Sequence, residues 1–173
     1  MSYSIKPADG SRLTRQPNSK YCFVCGLESE VGLRLRFDDN GQDEVTSTYT
    51  VARRYQGYPG VVHGGVVAAM LDEVAARTAM IADPDRFMMT GKLEIRYRKP
   101  VPVETPLTLV GHMLRDRKRV AEAHSEIRLP DGSVAAEADL TMVSVPSDVI
   151  PDSDLNALGW RVYPDDPGTL STA

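Results

Sequence analysis

With 173 residues, 42% of them apolar, the chain can bury one core and is expected to form one domain. Its 20 Lys+Arg against 24 Asp+Glu leave a net charge of −4, which argues against a nucleic-acid-binding protein. Two cysteines exclude a disulfide framework, no apolar run approaches a membrane span, and no signal peptide opens the chain, so a soluble, reducing, cytoplasmic setting is expected.

Residues 1–20 are polar, with Pro7, Gly10 and Pro17, and read as an irregular arm. Cys22-Phe23-Val24-Cys25-Gly26 follows as a lone CxxC. A structural zinc takes four ligands, and His63, His112 and His124 stand at no finger-like spacing from it. The expectation is a tight turn with two reduced thiols, no metal and no redox role. Leu33-Arg34-Leu35-Arg36-Phe37 alternates, as does 45–51, and Asp38-Asp39-Asn40-Gly41 supplies a turn between them. Together they predict a hairpin.

The stretch 57–82 carries the chemistry. A Gly-Tyr-Pro-Gly turn leads into Val61-Val62-His63-Gly64-Gly65, and from Val66 to Ala82 there is neither Gly nor Pro. The composition predicts a long helix, apolar around most of its circumference and therefore buried on most sides. Glu73 stands four residues before Arg77, the favourable order for an ion pair along a helix. Asp72 has only alanines three and four residues away, so it needs a partner from outside the helix, and burial would raise its pKa. It is the preferred acid or base. Gly64 and Gly65 open the helix with unpartnered backbone N–H groups suited to an oxyanion. From Gly64 to Asp72 is eight residues, about 12 Å of rise, too far for both to serve one carbonyl from the same helix. The spacing predicts a composite site in a symmetric dimer.

Beyond Asp83-Pro84, alternation returns at 93–98, 106–114, 120–129 and 134–145, which reads as an antiparallel meander. The fold class is α+β, a curved antiparallel sheet wrapped around one long central helix. Residues 147–173, with Pro151, Pro164 and Pro167, read as an irregular tail that Leu155, Leu158, Trp160 and Tyr163 could anchor.

Pro59-Gly60-Val61-Val62-His63-Gly64-Gly65, with Asp72 seven residues after Gly65, resembles the His-Gly-Gly signature of the hotdog-fold acyl-CoA thioesterases, in particular the phenylacetate-pathway (PaaI-like) branch. The resemblance covers 21–146, and the Cys-Phe-Val-Cys-Gly opening is similar to one subset of that family. It implies that Gly64, with Gly65 beside it, polarises the thioester carbonyl, and that Asp72 of a partner subunit activates water or attacks directly. Thr90, just before a strand beginning near Lys92, would help hold the water, and His63 would position the loop. Many members carry Asn or Gln six residues before the histidine; here that position is Gly57, with Gln56 beside it as the candidate replacement.

The polyanionic coenzyme A would need a local basic patch, for which Arg115, Arg117, Lys118 and Arg119 are the first candidates and Arg96, Arg98 and Lys99 the second. No metal or redox cofactor is implied; coenzyme A is part of the substrate. The expected partners are an acyl-CoA and further copies of the chain, as a homodimer or dimer of dimers. Two other functions fit the same resemblance: a non-catalytic acyl-CoA sensor, and an enoyl-thioester hydratase using His63.

Overall fold

Helix α1 spans Gly64–Ala76 and is continued by a 3-10 turn, Arg77–Met80, as its glycine- and proline-free composition after Gly65 favours. Val67, Met70, Leu71, Val74 and Ala75 are buried, while Val66, Ala68, Ala69, Asp72 and Glu73 are half-buried. This computed structural model describes residues 13–145, 149 and 156–164. The first part of the expected arm, the end of the tail and the anchor Leu155 lie outside the described residues.

The helix lies on one antiparallel sheet of seven strands: β1 Thr14–Arg15, β2 Asp38–Asp39, β3 Glu44–Thr50, β4 Met88–Tyr97, β5 Pro106–Arg117, β6 Val120–Arg128 and β7 Val134–Ser144. Their order in space is β1-β2-β3-β5-β6-β7-β4. Each strand from β3 to β7 touches α1, so the sheet curls around it. Gly111 on β5 allows the close approach, because a Cβ there would overlap the Val74 carbonyl. Buried Ser125 on β6 donates from Oγ to the Leu71 carbonyl at 2.9 Å and pins the helix one residue before Asp72.

Two expectations about order need correcting. The last four strands do not form a simple meander: β5, β6 and β7 do, but β4 crosses to the far side and pairs with β7. It therefore becomes the edge of the sheet and is exposed along most of its length. The segment 33–37 is not a strand of the predicted hairpin either. Leu33, Leu35 and Phe37 are buried in alternation, yet Arg34 has φ 59°. The Leu33 and Leu35 amides bond to the carbonyls of Phe23 and Val24 in the cysteine turn, and no sheet ladder forms. The true hairpin is shorter, β2 to β3, closed by Asn40, whose Oδ1 accepts the Gln42, Asp43 and Glu44 amides.

The polar arm is also more ordered than expected. Thr14–Arg15 pairs with β2, and Gln16, Asn18 and Ser19 are buried. Asn18 donates to the carbonyls of both Cys25 and Leu35 at 2.7 Å, clamping the cysteine turn to the 33–37 segment. From the tail, Arg161 bridges to Asn18, and Trp160 packs on Phe87 with ring centroids 5.2 Å apart. Among the described anchors, Leu158 stays exposed and Tyr163 stacks beneath Arg161.

Candidate active site

Asp72 does find its partner outside the helix. Thr90 donates from Oγ1 to Asp72 Oδ1 at 2.7 Å. The strand begins at Met88, ahead of the expected start near Lys92, so Thr90 lies inside β4. Leu93 and Ile95 face the core, and in a regular strand Thr90, three residues before Leu93, would face the other way. A bulge between Thr90 and Lys92 absorbs Gly91, reverses the parity and turns Thr90 toward α1. Burial raises the Asp72 pKa, the Thr90 hydrogen bond lowers it, and the Glu73 charge raises it again. The result is a half-buried carboxylate, net above its ordinary range, with one hydroxyl to orient it. Such a group suits proton abstraction from a water.

At the other end of the helix, His63 is the N-cap, and its Nδ1 accepts the Gly65 amide at 3.0 Å. That bond places the ring proton on Nε2 and makes His63 the residue that shapes the helix start. It also removes the Gly65 amide from the set of free donors. For Gly64 N–H no acceptor exists among the described residues, so this amide alone points outward at the positive end of the helix dipole. The Gln56 side chain turns into its own loop, where Oε1 accepts the Gly60 amide at 3.1 Å. Gly57 backs directly onto His63: a Cβ there would lie 3.3 Å from the histidine Cα.

One participant in this arrangement carried no sequence signal. Tyr97, at the far end of β4, donates from Oη to the Gly64 carbonyl at 2.8 Å. Strand β4 thus runs antiparallel to α1, with Thr90 beside Asp72 and Tyr97 beside Gly64. Within one chain the donor and the carboxylate sit at opposite ends of the same strand–helix pair. Alternating polar and apolar residues announced the strand, but neither the bulge nor the tyrosine's target.

The basic residues divide cleanly. Arg96 and Arg98 both reach Glu137, so their charge is answered within the sheet. The strand β5 runs on to Arg117, leaving only Lys118 and Arg119 as the turn. Arg115 stands 3.7 Å from Glu122, and Asp116 holds Arg86 through two bonds of 2.6 and 2.7 Å. Arg117, Lys118 and Arg119 are exposed and have no carboxylate partner among the described residues. In the ladder, Val120 pairs with Val143, which pairs with Met89. The hairpin tip therefore stands two strand spacings, roughly 10 Å, from the Thr90 end of β4.

A family profile described as the thioesterase superfamily matches residues 59–136, which includes the His63-Gly64-Gly65 turn, α1, Asp72 and Thr90. Acyl-coenzyme A thioesterase THEM4 of Rattus norvegicus is 32% identical over 82 residues, which make up 47% of this chain and 34% of that protein. A thioesterase superfamily protein of known crystal structure is 32% identical with a TM-score of 0.64, covering 72% of this chain and 63% of its own. A Streptococcus mutans protein crystallised with acetyl-CoA is 20% identical, with a TM-score of 0.55 over 59% of this chain and 81% of its own. The chain thus spans about a third of the rat protein and under two thirds of the first of these structures. The structural likenesses show the hotdog fold.

Proposed function

We propose that this chain, whose residues 59–136 match the thioesterase superfamily profile, hydrolyses acyl-CoA thioesters to a carboxylic acid and free coenzyme A. The observation that carries the reading is the half-buried Asp72 carboxylate, raised in pKa and bonded by Thr90 at 2.7 Å. A water held beside Asp72 and Thr90 attacks the thioester carbonyl carbon while Asp72 takes its proton. The oxyanion that forms is held by the Gly64 amide at the helix start. Collapse breaks the C–S bond, and the departing thiolate recovers a proton. These steps call for no metal or redox cofactor.

The site is shared between two copies. β4 is an exposed edge with no second neighbour among the described residues. Pairing two such edges antiparallel about a two-fold axis near Leu93 and Glu94 would bring Thr90 and Asp72 of one copy toward Tyr97 and Gly64 of the other. A homodimer is therefore the smallest active unit in this reading. Arg117, Lys118 and Arg119 are its candidates for the phosphates of coenzyme A, and no nucleic acid or membrane partner is called for. No helix among the described residues is long and apolar enough to cross a membrane; the two free cysteines favour a reducing compartment such as the cytoplasm as the setting of this reading.

The test is release of free thiol from a panel of aliphatic and aromatic acyl-CoAs, comparing wild type with Asp72→Asn at matched folding. Turnover that collapses in the variant supports the reading. Tight binding of CoA esters without turnover by either protein overturns it.

A further inference from the structure

The cysteine turn of the sequence is built more specifically than a pair of buried thiols requires. Cys22 Sγ accepts two backbone N–H groups, from Val24 at 3.3 Å and Cys25 at 3.4 Å. Gly26 closes the loop by donating to the Cys22 carbonyl at 2.9 Å, and a Cβ at this position would overlap that carbonyl. The turn therefore holds both sulfurs on one side, with amide dipoles aimed at the first. Asn18, itself 1% exposed, fixes the second through the Cys25 carbonyl.

A third ligand arrives from the helix. Cys22 Sγ, Cys25 Sγ and a carboxylate oxygen of Glu73 all lie within 4.8 Å of one another. Arg77 donates from Nε to Glu73 Oε1 at 3.0 Å, with its Nη2 in ion-pair range of the same oxygen, which leaves Oε2 without a hydrogen-bond partner among the described residues. We propose that Cys22, Cys25 and Glu73 form a binding site for a thiophilic divalent cation of the zinc type. Two thiolates and one carboxylate face the dication and the buried Arg77 guanidinium, so the loaded cluster is neutral. Two sulfurs with one carboxylate oxygen make a zinc-type donor set. The fourth position belongs to a water, because Cys22 and Glu73 are only half-buried and solvent reaches that side.

Binding releases the thiol protons to solvent, so affinity falls as pH falls. The cation ties the N-terminal turn to the residue beside Asp72, from which it would stiffen α1. A second cluster of similar spread, His124 with Glu126 and Glu137, makes the contrast: its carboxylates are already bonded to Arg128 and Arg98. It also offers no sulfur to a thiophilic ion.

This site stands independently of the thioesterase reading, and its test reads metal rather than turnover. The full chain, reduced and stripped with chelator, is titrated with Co(II) and then with Zn(II). The expected result is one equivalent of Co(II) per chain with a sulfur-to-cobalt charge-transfer band and tetrahedral d–d absorption, displaced by Zn(II). Cys22→Ser and Cys25→Ser each abolish that band, and Glu73→Gln weakens binding by about tenfold or more. Zn(II) raises the thermal midpoint of wild type and leaves that of Cys25→Ser unmoved. Absence of the charge-transfer band in fully reduced wild type overturns the site, whatever the variants do. Unchanged affinity in Glu73→Gln overturns the third ligand.

Discussion

Asp72 and Glu73 are neighbours on one helix, yet they serve opposite sides of the molecule. Around Glu73 the groups tie separate parts of the chain together: Arg77 donates to it from Nε, Phe37 and Trp160 cover the guanidinium at 4.7 and 5.0 Å, and the Pro17 carbonyl takes one of its N–H groups. Around Asp72 there is one hydroxyl, and the Gly64 amide up the helix has no acceptor at all among the described residues. The first side holds the arm, helix and tail together. The second leaves a carboxylate and a donor poised for something from outside, which is what a reaction site needs. Stability should therefore respond to one side and turnover to the other.

The strongest way to break that contrast is Asp72→Asn. It should lower kcat/KM by about 10²- to 10⁴-fold while circular dichroism and the urea midpoint hold steady; a variant losing both would place Asp72 among the structural groups. The mirror experiment is Arg77→Met, which leaves Glu73 unpaired beside a buried gap. A loss of about 3 kcal/mol in urea unfolding is expected, with activity per folded molecule unchanged.

Thr90→Val sharpens the comparison within the reactive side. Turnover should fall by up to about a hundredfold from lost positioning. Because the Thr90 bond lowers the Asp72 pKa, its removal should also move the acid limb of the pH–rate profile to higher pH. A limb that stays in place would detach Thr90 from the titrating group. Smaller still is the double change Arg117→Gln with Arg119→Gln, expected to raise KM for acyl-CoA a few-fold at low salt, with the difference vanishing as salt is added. An unaltered KM would move coenzyme A elsewhere.

The least effect concerns stability against pH. Asp72 is raised above its ordinary value of 3.8 in the folded chain, so the folded state holds that proton more tightly than the unfolded one. Its contribution is full below the ordinary value and is lost as pH rises through the folded one. Asp72→Asn, which does not titrate, should then be at least as stable as wild type at neutral pH, and parallel urea titrations in acid and at neutrality would read the sign.

Much of this arrangement is legible from residue order. The helix, the five longer strands, the Glu73–Arg77 pair and Asp72's need for an outside partner follow from periodicity, local spacing and the cost of a carboxylate among alanines. The failures share a cause. Leu33 to Phe37 alternates like a strand, but its amides are claimed by the cysteine turn; a pattern of side chains does not say where backbone groups bond. Gln56 stands next to the expected position, but its side chain is captured by the Gly60 amide in its own loop.

By itself the sequence determined which segments bury a face, which carboxylate lacked a local partner and where a helix starts on two glycines, because each depends on neighbours a few residues away. Tertiary structure alone decided that β4 returns as the edge, that a bulge at Gly91 turns Thr90 onto Asp72, and that Glu73 meets two cysteines from the arm side. Those outcomes depend on which backbone and side-chain groups find partners across the sheet, and no local spacing encodes that choice.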